Sequence, residues 1–266
     1  KSTPYNPIGS GTPTEITSQL MNSFQWSEEF YKNFTEDVIL TSMYLLCHLR
    51  DGNGYQFHLG HLLRLLTDSE YRYNLLSLMG DSSLKPEISK LFMELDDKRA
   101  SEKISGFVVQ LRKLIFSEVG PLFTSRVESE GGLTMEHPLR SGEVLYMCMN
   151  SLRLKEIASV SGKMILQDLM KGVGKLYDNG EKTKVTLVID EFASFATSDF
   201  IHFLDKARGA GVEIVIAHQS MADLREISEN FGMRVLENTA SKVIFNTLSS
   251  DDAEMFASMV GTEESV

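Results

Sequence analysis

The segment from Lys184 to Ser220 constrains the fold most strongly, because it combines two strand patterns, a helix pattern and two polar turns in a short span. Val185–Ile189 is a run of apolar and β-branched residues, which is typical of a strand buried on both faces. Val212–Ala217 is a second such run, and the helix pattern between the two favours a parallel pair. The carboxyl ends of parallel strands meet at one edge of a sheet, so the sequence predicts a ligand-binding edge there.

Both strand patterns end in polar residues that suit phosphate chemistry. Asp190 and Glu191 directly follow the first strand, and Gln219 follows the second one. Two acids at the end of a buried strand are costly unless they bind something. The arrangement predicts the Walker B half of a P-loop ATPase, in which Asp190 would hold Mg²⁺, Glu191 would polarise the attacking water and Gln219 would sense the leaving phosphate. The alternative is that the acids only cap the following helix.

Three stretches of this region resemble one protein family. VTLVIDEFASF, KARGAGVEIVIAHQS and SKVIFNTLSSDDAEMFASMVG are similar to segments of the coupling proteins of conjugation and type IV secretion, the TraD/TraG type. Near the start of the chain, Tyr5-Asn6-Pro7-Ile8 is similar to the segment that follows the second strand of that family's nucleotide-binding domain. The resemblance is strongest over residues 184–262.

The resemblance implies a RecA-like P-loop NTPase fold of the α/β class, with a parallel sheet and an inserted all-helical domain. It implies ATP and Mg²⁺ as cofactors, bound through Asp190, Glu191 and Gln219. It also implies a homo-hexamer, DNA and relaxase or effector proteins as substrates, and contact with secretion-channel proteins at the cytoplasmic face of the bacterial inner membrane. Arg208 matches an arginine that the family offers to the γ-phosphate of a neighbouring subunit. The alternative for Arg208 is a solvated side chain favoured by the helix dipole.

The implied function is a coupling ATPase that uses ATP hydrolysis to recruit DNA or protein and to move it to the secretion channel. Two alternatives stay open. A non-hydrolysing docking platform would bind protein cargo through its helical domain, and the acidic composition mildly favours protein cargo over bare DNA. An FtsK-like DNA translocase would share the Walker B pattern and the glutamine, but the long helical insert argues against it.

The sequence lacks the phosphate-binding half of such a site. A P-loop requires G-x-x-x-x-G-K-[ST], because its backbone amides surround the phosphates and its lysine neutralises them. The nearest match is Ser161-Gly162-Lys163-Met164, which lacks the first glycine and the hydroxyl residue and falls inside a predicted helix. The chain is therefore expected to bind ATP poorly and to be inactive without a Walker A segment.

Three domain ranges follow from these patterns. Residues 1–26 are assigned to the N-terminal part of the nucleotide-binding domain, 27–128 to an all-helical domain, and 129–266 to the part that contains the acidic turn. The middle range shows only helix patterns, and a linker is predicted over 128–142.

Further strands of the sheet are predicted at Val144–Cys148 and at Val243–Phe245, since both are short apolar runs between helix patterns.

Several helix starts are predicted from capping residues. Thr12-Pro13-Thr14-Glu15 reads as a capping box with proline at the first helical position. Ser27 is expected to cap the long helix that ends near Gly54, and a second capping box is expected to open at Thr67. His58 and His61 are expected to be exposed helix residues rather than zinc ligands, because no cysteine or acid is suitably spaced.

Composition limits the remaining possibilities. The net charge of −11 argues against a broad nucleic-acid-binding surface. No apolar run approaches the roughly 18 residues that span a bilayer. Because the family carries membrane helices ahead of its ATPase domain, the chain is expected to be an excised soluble fragment. Cys47 and Cys148 are expected to be two buried, reduced thiols.

Overall fold

The computed structural model describes residues 3–124, 133–246 and 249–260, and most of them are helical. They divide into two compact units, Lys1–Val173 and Gly174–Val266. The helices and strands are, in chain order, α1 (Pro13–Ser23), α2 (Glu29–Asn53), α3 (Leu59–Thr67), α4 (Ser69–Leu78), α5 (Lys85–Leu95), α6 (Lys98–Lys103), α7 (Ser105–Ile115), α8 (Gly120–Thr124), α9 (Glu136–Ser141), α10 (Ser151–Leu154), α11 (Glu156–Asp178), β1 (Val185–Ile189), a 3₁₀ turn (Phe192–Ser194), α12 (Phe200–Ala207), β2 (Val212–Ile216), α13 (Met221–Arg225), α14 (Phe231–Asn238) and α15 (Ser250–Val260).

The first unit is built from helices whose apolar faces meet in one core. Ile16 and Leu20 of α1 and Leu45 and Leu49 of α2 are fully buried, and these two helices pack against each other. Spacings of three, four and seven residues place such side chains on one side of a helix, which explains why this stripe is buried. Phe107 of α7 lies in the same core.

Local capping signals were partly sufficient to locate the helix starts. Thr12 caps α1 as predicted: its Oγ1 accepts from the Glu15 amide at 3.3 Å, and the Glu15 carboxylate accepts from the Thr12 amide at 2.7 Å. The prediction for Ser27 is wrong, since α2 begins at Glu29 without a side-chain cap. The prediction for Thr67 is also wrong, because Asp68 caps α4 instead.

A buried polar network links the start of the chain to α11. The side-chain Nε2 of Gln19 donates to the Tyr5 hydroxyl at 3.1 Å, and the Nζ of Lys171 donates to the side-chain Oε1 of Gln19 at 3.2 Å. Lys171 also pairs with the buried carboxylate of Asp168 at 2.6 Å. Burial, together with the charge of Asp168, raises the pKa of Tyr5 well above its usual value. Residues 3–26 are therefore held by hydrogen bonds as well as by apolar packing.

The second unit contains a parallel pair of strands with helices on one face. β1 and β2 are in register from Val185 opposite Val212 to Ile189 opposite Ile216. Ile189 and Val212 are buried and face inward, whereas Val188 and Val215 on the other face are 68% and 54% exposed. The prediction that these strands are buried on both faces is therefore wrong.

The predicted RecA-like sheet is also wrong for the described residues, which form only this two-stranded sheet and a single-residue bridge. The segments expected to add strands, Val144–Cys148 and Val243–Phe245, pair with no strand. Val144 is 96% exposed and Phe245 is 84% exposed, and Cys148 is exposed rather than buried. Apolar runs have a preference for strands, but a strand forms only where a partner supplies the ladder of hydrogen bonds.

The three predicted domain ranges stay a prediction. The boundary at 128/129 and the first part of the proposed linker lie outside the described residues. Within the rest of that linker, residues 136–141 form α9. Among the helices described, none is both long and apolar enough to cross a membrane.

Candidate functional site at the edge of the two-stranded sheet

The carboxyl ends of β1 and β2 are joined by two backbone hydrogen bonds. The amide of Ala217 donates to the carbonyl of Ile189 at 2.9 Å, and the amide of Phe192 donates to the carbonyl of Ala217 at 2.8 Å. The chain therefore turns back immediately after β1 and stays beside the residue that follows β2. This turn contains Asp190 and Glu191, and Gln219 lies two residues beyond Ala217, so the structure brings these three predicted residues to one edge of the sheet.

The acidic turn has an uncommon backbone conformation. Glu191 has φ 51° and ψ 43°, in the left-handed region that residues with a side chain seldom adopt. One carboxylate oxygen of Asp190 accepts a hydrogen bond from the Glu191 amide at 2.9 Å. The left-handed conformation costs about 1–2 kcal/mol for a non-glycine residue. Such conformations are concentrated at functional sites, and that is consistent with a role for Glu191.

The alternative that Glu191 merely caps the following helix is not borne out. Glu191 occupies the position before the 3₁₀ turn, yet its side chain makes no capping hydrogen bond there. Both Asp190 and Glu191 are exposed, as is Gln219. Exposed carboxylates at this edge are accessible to a ligand.

Phe192 fixes the turn, and the sequence patterns did not single it out. Its ring is fully buried, with ring centroids 4.8 Å from Phe200 and 6.1 Å from Phe231. These three rings join the turn to α12 and α14. The sequence did contain a signal for Phe192, namely a phenylalanine directly after two acids. A buried ring at that position orients the acids toward solvent.

The segment after Gln219 is held by two side chains whose contacts the sequence did not predict. Ser220 caps α13, since its Oγ accepts from the Asp223 amide at 3.2 Å. The carboxylate of Asp252, a buried residue of α15, accepts from the Met221 amide at 3.1 Å. Ser220 and Asp223 form a recognisable serine-x-x-acid pattern, whereas the contact from Asp252 is long-range and gives no local signal.

Arg208 lies away from the acidic edge. It follows α12 and precedes β2, so it lies near Val212, at the end of the sheet opposite to Asp190. Four residue steps of about 3.3 Å separate the two ends by about 13 Å of strand. Arg208 is exposed and does not join the acidic turn of its own chain. The family's use of this arginine on a neighbouring subunit therefore stays a prediction.

The residues of the acidic edge fit Mg²⁺ only together with a nucleotide. Mg²⁺ takes hard oxygen ligands and is usually held by one or two carboxylates, waters and substrate phosphates. Asp190 offers such a carboxylate, and no cluster of three or more His, Cys, Asp or Glu side chains that could hold a metal occurs among the described residues. The edge thus suits a metal that arrives with phosphates, not a resident metal in a protein cage.

The segment that comes closest to the P-loop pattern does not form a phosphate-binding loop. Ser161, Gly162 and Lys163 lie inside α11, so their amides belong to the helix and cannot surround phosphates. Partial burial lowers the pKa of Lys163 from its usual value.

The paired histidines of the first unit have a structural role. The His58 ring accepts from the Gly60 amide at 3.1 Å, and the His61 ring accepts from the His58 amide at 3.1 Å, so the two rings cap α3 together. Both are half-buried rather than exposed as expected.

In the second unit, polar side chains follow the carboxyl ends of two parallel strands, which is the edge at which α/β sheets commonly bind ligands. Residues 184–266 match the family model described as the TraM recognition site of TraD and TraG. The match supports the resemblance to the TraD/TraG type of coupling protein noted in the sequence, and it covers these residues alone.

Two further comparisons add little. An uncharacterized protein of Mycoplasma pneumoniae is 24% identical over 107 residues, which are 40% of this chain and 71% of that protein. No solved structure matches the chain.

Proposed function

We propose that this chain is part of a conjugative coupling protein that recruits relaxosome protein and delivers it, with DNA, to a type IV secretion channel. The observation that carries the proposal is the family match over residues 184–266, together with the acids and the glutamine at one sheet edge of that segment. The matched family is described as the TraM recognition site of TraD and TraG. The partner class proposed for this chain is therefore a relaxosome protein of the TraM kind.

The finer proposal is that the protein hydrolyses ATP. Asp190 would hold Mg²⁺ together with phosphate oxygens, and Glu191 would orient and polarise the attacking water. Gln219 would respond to the leaving phosphate, and Arg208 would act on a neighbouring subunit of a homo-hexamer. The exposure of the two carboxylates and the left-handed backbone of Glu191 support these roles. The proposed place is the cytoplasmic face of the bacterial inner membrane.

A second candidate function is a docking platform that does not hydrolyse ATP. It is favoured by the recognition role in the description of the family. On this view the second unit would hold the relaxosome partner, and the helical unit would offer a further surface for protein cargo.

The test measures ATP turnover by the natural full-length protein, with and without DNA, beside a Glu191→Gln variant. Glu229→Gln is the matched control, because it makes the same change at an exposed acid of the same unit. We expect DNA to raise turnover in the wild type and in the control, and Glu191→Gln to lower it by 10²-fold or more, about the loss for removing a general base.

Binding of a purified TraM-type protein is measured in parallel. Turnover that is absent in every protein, with intact binding, would leave the docking platform as the function. If the wild-type protein neither turns over ATP nor binds the TraM-type protein, the coupling-protein proposal itself would be overturned.

A further inference from the structure

An open groove runs between α2 and α5 in the helical unit. α2 contributes Asp37, Thr41 and Tyr44, which lie four and then three residues apart and therefore share one side of the helix. The groove has a volume of about 390 Å³. We call it the α2–α5 groove.

The floor of the α2–α5 groove is apolar. Ile88 is buried at its base, and Leu91 is half-buried beside it. Tyr44 and Leu84 line the groove and are 40% and 45% exposed. Apolar side chains that stay this exposed along a groove are suited to contact with a partner's apolar side chains.

The rim of the groove is acidic. Asp37, Glu87 and Glu94 carry negative charges there, against the single positive charge of Lys90. All four side chains are exposed, and none of them forms an ion pair with another described residue. Several other acids of this unit are neutralised within the chain, as Asp68 is by Arg64. The rim charges are therefore available to a cationic partner.

We propose that the α2–α5 groove docks a basic amphipathic helix of a protein partner. The groove side of α5 extends from Leu84 to Glu94, about 15 Å at 1.5 Å per residue, which matches a helix of about three turns. Apolar side chains at i, i+3, i+4 and i+7 of that helix would contact Tyr44, Leu84 and Leu91. Its lysines or arginines would meet Asp37, Glu87 and Glu94. The inference rests on the proposed function only in that a coupling protein must hold a protein partner.

The test uses two synthetic peptides and the purified full chain. The first probe is a fluorescein-labelled 12-residue peptide with leucine at positions 2, 5, 6 and 9 and lysine at every other position. The second has the same composition with the leucines spread around the helix. We expect the amphipathic peptide to bind at least tenfold more tightly in fluorescence anisotropy, and its binding to weaken as salt is raised.

Variants locate the binding. Glu87→Gln with Glu94→Gln should weaken binding of the amphipathic peptide about tenfold and reduce its salt dependence. Tyr44→Ala should weaken binding and leave the salt dependence unchanged. Glu29→Gln with Glu70→Gln makes the same charge change at exposed acids of the same unit outside the groove, and should have no effect. Circular dichroism of each variant verifies that it is folded.

The proposal would be overturned if the two peptides bound equally tightly. It would also be overturned if the groove double variant and the control double variant lost affinity for the amphipathic peptide equally. The assay requires neither ATP nor DNA nor a TraM-type protein. Its failure is therefore separate from failure of the proposed function.

Discussion

The amide of Phe192 donates a 2.8 Å hydrogen bond to the carbonyl of Ala217, and this contact joins the acidic turn after β1 to the residue that follows β2. The contact has a direct consequence for the candidate site. Asp190 and Glu191 lie just before Phe192, and Gln219 lies just after Ala217, so any displacement of Phe192 also moves the acids relative to the glutamine.

The first prediction concerns the ring of Phe192. Phe192→Ala removes a fully buried ring that packs against Phe200 and Phe231, and should cost about 3–5 kcal/mol of stability in the second unit. Amide hydrogen exchange of β1 and β2 measures this loss. Phe245→Ala is the control, because that ring is 84% exposed and its removal should change exchange little. Equal exchange in both variants would contradict the anchoring role of Phe192.

The second prediction concerns Asp252. Asp252→Ala leaves the Met221 amide without its acceptor and should cost about 1–3 kcal/mol. The loss should be largest at the start of α13, next to Gln219, as measured by hydrogen exchange of residues 221–225. The neighbouring Asp251 is exposed, so Asp251→Ala should leave exchange there unchanged. Equal protection in the two variants would show that the Asp252 contact does not hold this segment.

The third prediction concerns the glycine that precedes β2. Gly211 has φ 81°, and a Cβ atom there would lie 2.0 Å from the carbonyl oxygen of Thr183. Gly211→Ala should therefore destabilise the strand pair by about 2 kcal/mol or more. Gly174→Ala should instead stabilise the chain by about 0.5–1 kcal/mol, because Gly174 lies in α11 with open space around it. Denaturant unfolding of both variants distinguishes the two outcomes.

The sequence predicted those features that depend on near neighbours. Thr12 and Glu15 interact within one helical turn, so the start of α1 was correct. The bounds of β1 were correct because an apolar run and the polar turn after it are local signals. The predictions for Ser27 and Thr67 each missed the observed N-cap residue by one position, since neighbouring polar residues give similar local signals.

Features that depend on distant partners were beyond the sequence. Val243–Phe245 has the composition of a strand, yet whether it pairs depends on an edge elsewhere in the chain. Asp252 and Met221 are 31 residues apart, and no local pattern marks their contact. At the candidate site, the sequence located Asp190, Glu191 and Gln219 at one edge but did not indicate the left-handed backbone of Glu191 or the burial of Phe192.

The fourth prediction is a pH dependence in the helical unit. The Asp68 carboxylate accepts from the Tyr71 amide and pairs with Arg64, and both interactions lower the pKa of Asp68. Its contribution to stability is therefore complete above the ordinary aspartate pKa of about 3.9 and is lost as the pH falls through the lower folded-state value.

Asp68→Asn removes this titration, so the stability difference between wild type and variant should be constant from pH 7 to 5 and should shrink in more acid solution. Urea unfolding at several pH values measures it. A difference that stays constant down to the lowest pH would contradict the assignment to Asp68.

The last prediction separates strain from function at Glu191. Because the left-handed backbone is unfavourable for glutamate, Glu191→Gly should stabilise the second unit by about 1 kcal/mol. Glu191→Gln keeps both the strained backbone and the shape of the side chain, so it should not give the stability gain of Glu191→Gly. Hydrogen exchange of β1 and β2 measures both effects.

If Glu191 also acts on the attacking water, both variants should lose ATP turnover in the full-length protein, and the gain in stability would belong to Glu191→Gly alone. A Glu191→Gly variant that is no more stable than the wild type would contradict the inference that the backbone of Glu191 is strained. Full turnover in both variants would remove Glu191 from the proposed chemistry, whatever the change in stability.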